Sequence, residues 1–218
     1  MSLVKIDYRF NEIEYGKSVD DAEYYYNALT LAVDYDLDYS NQMEGVQNRN
    51  LNIEDNQKIV PFHPIGSGLL GAPFLIFSNL TLDPFFKSNL ISFNYFVYSL
   101  IPIFYFFISI KLIFKTCNHL KVNINKPLIF LFILGTGVSY YAFDRFSMSH
   151  IYEFFSVCLV MFLSSKVINS QTENKYIYFI LGLSIYLFLT IRFTNYFLII
   201  IPALILIIQN KNIKNIYF

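Results

Sequence analysis

Long apolar runs separated by short polar segments dominate residues 90–208 of this chain. A membrane-spanning helix needs about 20 mostly apolar residues, with a range of roughly 17–25. Residues 90–110 meet this requirement without a charged side chain. We predict further spans at residues 127–143, 150–165, 176–191 and 193–208, the last two because Arg192 divides an apolar run too long for one helix. The chain is therefore predicted to be an all-α integral membrane protein, a polytopic bundle of about five transmembrane helices.

Residues 65–80 form an apolar stretch of a different kind. The stretch is short, and it contains three glycines and a proline. We predict a helix that lies at the membrane interface or enters the membrane and returns on the same side. A sixth span is the alternative.

The first 64 residues are polar by comparison and hold most of the chain's 16 acidic side chains. Residues 22–33 carry good helix formers with a partly apolar face, which predicts an amphipathic helix of about three turns resting on the membrane surface. Asp20 and Asp21 would lie at its N-terminus, where the helix dipole stabilises negative charge. Residues 1–64 are thus predicted to be an external loop that carries a juxtamembrane helix.

The distribution of lysines predicts the orientation of the chain. Segments 111–126, 166–175 and 209–218 carry lysines and alternate along the chain as cytoplasmic segments should. The acidic N-terminal segment would then lie outside, on the periplasmic side of a bacterial inner (plasma) membrane. An external N-terminal segment needs a preceding helix to cross the membrane, so we expect the sequence to lack a first helix and a C-terminal portion.

Composition narrows the classes of function. The hydrophobic fraction is 55% and the mean hydropathy is +0.44, above the values of an ordinary soluble domain. The formal net charge is +0, so the chain offers no basic face for nucleic acid. Cys117 and Cys158 lie far apart and fit neither a metal-binding pair nor a disulfide framework.

Acidic residues in the external segment allow more than one interpretation. Asp20 and Asp21 could be ordinary helix-capping or solvated side chains. Asp36 and Asp38 could hold a hard divalent cation through oxygen ligands, although their segment lacks the glycine and terminal glutamate of an EF-hand loop. No cofactor is predicted with certainty, and a divalent cation is the one candidate.

Four segments, in order, resemble the GT-C superfamily of polytopic membrane glycosyltransferases, which includes protein O-mannosyltransferases and aminoarabinose transferases. The segments are VDDAEYYYNALTLAVDYDLDYSNQ (19–42), HPIGSGLLGAPFLIF (63–77), SMSHIYEFF (147–155) and LTIRFTNYFLIIIPALILI (189–207). Each segment alone has low specificity, but the four occur in the family's order with sensible spacing. Together they extend the resemblance over most of the chain. The resemblance departs from the family before residue 17, where a membrane helix is expected and none is found.

The resemblance implies a GT-C fold, a polyprenyl-phosphate sugar as donor, and a catalytic acid in the first external loop. By position that acid is Asp20, with Asp21 where many relatives have glutamate. A carboxylate there can take the proton that the acceptor loses. The donor phosphate needs cations on the same side, and arginine suits it because its fork can bond two oxygens. The candidate donor-binding residues are Arg192, Arg145, His150, His63 and Tyr24.

Each of these residues also has an ordinary interpretation. Arg192 could mark a turn and extend to the lipid headgroups, and Tyr24 could belong to an interfacial aromatic belt. A multi-span transporter subunit, or an inactive or fragmentary GT-C-like protein, is the alternative function. A transporter would place charged residues near the middle of its spans, whereas here they lie mostly at span ends.

Overall fold

The computed structural model is helical over nearly all of the residues that it describes. Those residues are 19–42, 52–53, 59–60, 63–82, 90–169, 175–200, 202–204 and 207. The helices are α1 (Val19–Leu29), α2 (Gly66–Leu82), α3 (Leu90–His119), α4 (Lys126–Leu134), α5 (Gly137–Phe143), α6 (His150–Asn169) and α7 (Lys175–Ile191). A π-helical turn (Thr30–Asp34) follows α1, and a 3-10 helix (Phe193–Ile199) follows α7. Two short antiparallel strands, β1 (Asn52–Ile53) and β2 (Ile59–Val60), pair with each other.

Two helices are long and apolar enough to cross a membrane. They are Phe93–His119 and His150–Ile168, and they pack against each other. The pair α4 and α5 would form a third span if its two halves count as one. α7 and the segment that begins at Phe193 are apolar but shorter. The described residues thus confirm a helical chain with two or three helices long and apolar enough to span a membrane, while the predicted total of about five spans stays a prediction.

Residues 127–143 do not form the single straight helix that we predicted. α4 ends at Leu134 and α5 begins at Gly137, and the two axes differ by 69°. Thr136 adopts an extended conformation and its hydroxyl accepts a hydrogen bond from the Val138 N–H, which starts a new helix. Gly135 caps the end of α4 and Thr136 caps the start of α5, so the helical ladder is interrupted where the apolar run gives way to Gly-Thr-Gly.

The first predicted span continues beyond residue 110. α3 runs to His119 and therefore contains Lys111 and Lys115, which we had assigned to a loop. A lysine has good helix propensity, and its long side chain can place the charge at the level of the lipid headgroups. Charged residues ended the apolar run here without ending the helix.

The predicted surface helix exists, but it is buried within the protein. Between residues 21 and 32 no side chain of α1 and the following turn is fully exposed, and Ala28, Asn27 and Thr30 have no exposed surface. α1 packs against α2, and its Tyr24 and Tyr25 contact Tyr95 and Tyr98 of α3. The helix therefore packs largely on protein, with Asp20 exposed at its start, and its position at the membrane surface stays a prediction.

Glycines in α2 allow neighbouring backbones to approach closely. A Cβ atom at Gly68 would lie 2.7 Å from the Asn27 backbone and side chain, and one at Gly66 would lie 2.4 Å from the Thr190 carbonyl carbon. Only glycine fits at both positions. The stretch predicted to be interfacial or re-entrant is thus a helix, Gly66–Leu82, that contacts both α1 and the C-terminal end of α7.

Aromatic side chains fill the space among α1, α3 and α6. Tyr25 contacts the rings of Tyr95 and Tyr98, and Tyr105 contacts Tyr152. The outward faces of the helices are also apolar, with large exposed side chains such as Phe107 and Phe132. Exposed apolar surface over whole helices is expected of a protein whose solvent is lipid.

Candidate functional site

One face of α1 presents two carboxylates to His63, which lies just before α2. The Glu23 carboxylate lies 2.5 Å from His63 Nδ1, and the Asp20 carboxylate lies 3.6 Å from Nε2 of the same ring. Glu23 is 5% exposed, whereas the Asp20 side chain is 51% exposed. The imidazole therefore connects a buried carboxylate to one that solvent can reach.

The position of His63 is fixed by close packing of α1 on the start of α2. The buried Asn27 donates from Nδ2 to the Pro64 carbonyl at 3.3 Å and accepts from the Tyr39 hydroxyl at 2.8 Å. Gly68 lets the backbones approach closely enough for these bonds. The His63 N–H also donates to Glu23 at 3.3 Å, so both backbone and side chain of this histidine are held.

The hydrogen bond that the Glu23 carboxylate accepts from the imidazole raises the pKa of His63 above its ordinary value. Burial acts in the opposite direction, and the negative charges of Glu23 and Asp20 act in the same direction as the hydrogen bond. A hydrogen bond to the charged form of a histidine favours that form. His63 thus retains its proton to a higher pH than a free histidine does.

The opposite side of α1 carries Asp21, which is 7% exposed. Its Oδ2 accepts a hydrogen bond from Arg145 Nε at 3.2 Å. Arg145 follows α5 and precedes α6, and its side chain is 41% exposed. The guanidinium compensates the buried carboxylate and leaves part of its own fork accessible.

A second group of charges forms where α6 begins and α7 ends. Arg192 Nη1 donates to Glu153 Oε2 at 3.2 Å and to His150 Nδ1 at 3.4 Å. The imidazole of His150 also lies 4.1 Å from the Tyr141 ring, centroid to centroid. The Arg192 side chain is 39% exposed, so this arginine is oriented by Glu153 and His150 without being covered by them.

Tyr24 joins the two groups. Its ring lies 4.9 Å from the His63 ring, and its hydroxyl shares a hydrogen bond with the Ser149 side chain. Burial is the main cause that raises the pKa of Tyr24, and the charges of Arg192, Asp20 and Glu153 all act on it. The tyrosine therefore lies between the carboxylates of α1 and the arginine at the end of α7.

The seven catalytic and donor-binding residues predicted from the sequence all lie in this one region. We call it the charge cluster, and it consists of Asp20, Asp21, Glu23, Tyr24, His63, Arg145, Ser149, His150, Glu153 and Arg192. It lies at one end of the helices, because it contains the start of α6 and the residue after α7. Acceptors of protons, anion-binding guanidiniums and hydroxyls are thus close together at one end of the bundle.

Sequence reasoning missed Glu23 and underestimated Glu153. Glu23 lies three residues after Asp20, so both side chains share one helical face, a signal that the spacing contained. Glu153 lies in the first turn of α6 and was not among the predicted site residues, and the structure shows its ion pair with Arg192. No sequence pattern indicates that pair, because the two residues come from different helices.

Asp36 and Asp38 lie outside the charge cluster and stabilise a turn. Asp36 Oδ1 accepts from the Thr30 hydroxyl at 3.0 Å and from the Asp38 N–H at 3.1 Å. Asp38 Oδ1 accepts from the backbone and the hydroxyl of Ser40. Across the described ranges, no group of three or more histidine, cysteine, aspartate or glutamate side chains is placed to hold a metal ion.

Comparison with known proteins adds no relative to this description. No family model matches the chain, and no curated protein or solved structure matches it either. The functional interpretation therefore depends on the geometry of the charge cluster and on the residues themselves.

Proposed function

We propose that this chain is a glycosyltransferase that moves a sugar from a polyprenyl-phosphate donor to a lipid, glycan or protein acceptor. The observation that supports the proposal most is the position of Asp20. Its exposed carboxylate is backed by His63 and lies in the same cluster as Arg192, at one end of the spanning helices. A lipid-linked donor would present its phosphate and sugar at this level of the membrane.

In this proposal Asp20 is the general base. The acceptor oxygen or nitrogen attacks the anomeric carbon of the sugar, and the bond between that carbon and the phosphate oxygen breaks. The acceptor proton passes to Asp20, and polyprenyl phosphate leaves with the bonding electrons. General base catalysis of this kind contributes about 10²–10⁴-fold to a rate.

Arg192 is the residue that we propose for the donor phosphate. The leaving phosphate gains negative charge, and a guanidinium that is already oriented can stabilise it without reorganisation. The ion pair with Glu153 and the hydrogen bond to His150 supply that orientation. Arg145, held by Asp21, is a second guanidinium for the same anion.

We also propose that the charge cluster lies on the outer side of a bacterial plasma membrane. The lysines of α3 and α6 lie at the opposite ends of these helices, and lysines favour the cytoplasmic side. The outer side is also where sugars attached to polyprenyl phosphate are used in the family that the sequence resembles.

Release of polyprenyl phosphate from a labelled donor tests the proposal. The full chain is reconstituted in liposomes with polyprenyl-phosphate mannose or polyprenyl-phosphate aminoarabinose, with and without added acceptor lipid or peptide. Asp20→Asn should reduce release at least about 100-fold, because the amide cannot take the proton. Asp38→Asn removes the same charge from a turn outside the cluster, and its amide oxygen can still accept from Ser40.

The control variant should therefore keep the rate of the unmodified chain. Equal release by the unmodified chain and Asp20→Asn would exclude Asp20 as the base. An unmodified chain that releases no polyprenyl phosphate from either donor, with every acceptor class tried, would contradict the proposed activity for those donors.

A further inference from the structure

The end of the bundle away from the charge cluster contains a cavity of about 430 Å³. We call it the lysine pocket, and it is lined by Lys115, Asn118, His119, Phe162 and Lys166. The lining residues come from the last turns of α3 and α6, whereas the charge cluster lies against the first turns of the same helices. We infer that the lysine pocket binds the phosphate headgroup of an anionic membrane lipid.

The charges of the pocket favour an anion. Lys115 and Lys166 place their Nζ atoms 5.7 Å and 4.9 Å from the centre of the same Phe162 ring, and the His119 ring lies 5.6 Å from it. None of the five lining residues is acidic. Two ammonium groups lie near one ring, and a phosphate that contacted both would gain two Coulombic attractions.

The donors of the pocket suit a phosphate in number and kind. Each lysine ammonium carries three donors, the Asn118 amide carries two, and the His119 ring carries at least one. A phosphodiester offers oxygens that accept from several of these groups at once. Bound ligands in proteins occupy pockets of roughly 300–1,000 Å³, so the cavity has room for a headgroup.

The positions of the two lysines along their helices favour a lipid phosphate over a free phosphate. By the helical rise, Lys115 lies roughly 33 Å along the axis from Phe93, and Lys166 lies roughly 24 Å from His150. The hydrocarbon core of a bilayer is about 30 Å thick, so Lys115 reaches the level of the headgroups and Lys166 lies within roughly 6 Å of that level. Phosphate oxygens of lipids lie at that level on every side of the protein.

Apolar side chains beside the pocket would accommodate the acyl chains. Phe162 lines the pocket and is 9% exposed. Leu120 follows the lining residue His119 in the sequence, Ile168 lies two residues after Lys166, and the two are 43% and 45% exposed. A lipid that placed its phosphate between the lysines would cover apolar surface that a free phosphate would leave in contact with water.

Native mass spectrometry of the full chain in neutral detergent tests this inference. The probes are short-chain phosphatidylglycerol, short-chain phosphatidylcholine and inorganic phosphate. The unmodified chain should retain phosphatidylglycerol in preference to the other two. Lys115→Gln combined with Lys166→Gln should weaken that binding about 30-fold, since each lysine near an anionic lipid contributes about fivefold.

A charge-matched double variant serves as the control. Lys111→Gln combined with Lys126→Gln removes two exposed lysines from the same part of the chain but outside the pocket, and it should bind phosphatidylglycerol as the unmodified chain does. Lys115→Arg combined with Lys166→Arg should restore most of the binding. This rescue separates loss of charge from loss of folding.

Three results would overturn the inference. One is equal weakening by the pocket variant and the control variant, which would indicate a general effect of net charge. Another is equal retention of phosphatidylcholine and phosphatidylglycerol by the unmodified chain. The third is binding of inorganic phosphate as tight as that of phosphatidylglycerol, which would indicate a site for a soluble anion.

Discussion

The two ends of the helical bundle hold their charges in different ways. At the charge cluster each guanidinium contacts a carboxylate, and the buried carboxylates of Asp21 and Glu23 contact Arg145 and His63. At the lysine pocket the ammonium groups of Lys115 and Lys166 lie over an aromatic ring, with no carboxylate in the lining. The first end is organised by contacts within the protein, and the second is open to an anion from outside.

The charges of the cluster contribute to folding, whereas those of the lysine pocket are available for binding. A buried carboxylate must be paired, because an uncompensated charge in a low-dielectric interior is costly. A lysine at the end of a spanning helix can reach water and headgroups whether or not it has a partner. Substitutions at the cluster should therefore affect stability, and those at the pocket should not.

Removal of Glu23 should have the largest effect. Glu23→Ala leaves His63 facing a cavity where its hydrogen-bond acceptor was, and breaking a buried pair costs about 3 kcal/mol. Lys115→Ala at the pocket should change stability by less than about 0.5 kcal/mol, because that side chain is exposed. Reversible unfolding in mixed detergent measures both. Equal losses would remove the distinction between the two ends.

Close packing around Gly68 should give the next largest effect. Gly68→Ala brings a methyl group to within 2.7 Å of Asn27, so α1 must move away from α2, at a cost of about 1–3 kcal/mol. Gly182→Ala in α7 is the matched control, because a Cβ there meets nothing within 4 Å. The same unfolding measurement should find the control neutral or more stable by up to about 1 kcal/mol. A neutral Gly68→Ala would contradict the tight α1–α2 contact.

Substitution of Arg192 should separate stability from activity. Since the Arg192 and Glu153 side chains are 39% and 23% exposed, Arg192→Gln should cost at most about 1 kcal/mol of stability. Transfer should nevertheless fall about 100-fold or more if the guanidinium stabilises the leaving phosphate. Unfolding and polyprenyl-phosphate release are measured on the same preparation. A loss of activity no larger than the loss of folded protein would make Arg192 a structural residue.

The smallest effect expected is a change of stability with pH that depends on His63. Because the folded state raises the pKa of His63, protonation of this residue stabilises the fold. That contribution is fully present below the ordinary pKa of histidine, about 6.5. It is lost as the pH rises through the higher pKa of the folded state. The melting temperature of the unmodified chain relative to His63→Gln should fall over this interval, and a constant difference would show that Glu23 does not favour the charged imidazole.

Much of the helical layout could be predicted from the sequence, because apolar runs and their interruptions determine it. The break at Arg192 was predicted, and α7 ends at Ile191, one residue before it. The bend between α4 and α5 was missed, although Gly135, Thr136 and Gly137 interrupt the apolar run where one helix ends and the next begins. Predictions for residues 1–18 and 209–218 fall outside the described residues.

The members of the charge cluster were largely predictable, and their arrangement was not. Charged and polar residues at the ends of apolar runs were recognisable one by one, as Arg145 and Arg192 were. Which carboxylate each arginine contacts depends on the packing of distant helices, as the separation of Asp21 and Arg145 along the chain makes clear. The burial of α1 was missed for the same reason, because Asp21 and Glu23 gave it the composition of a surface helix.

The most direct test of the account is the membrane side on which each end lies. Cys117 adjoins the lysine pocket, and Leu37 is a residue near α1 whose side chain is 55% exposed. Spheroplasts that express the unmodified chain, or Leu37→Cys in a Cys117→Ser background, are treated with a membrane-impermeant maleimide. We predict that Leu37→Cys reacts in intact spheroplasts and that Cys117 reacts only after permeabilisation. Reaction of Cys117 in intact spheroplasts, or protection of Leu37→Cys until they are opened, would contradict it.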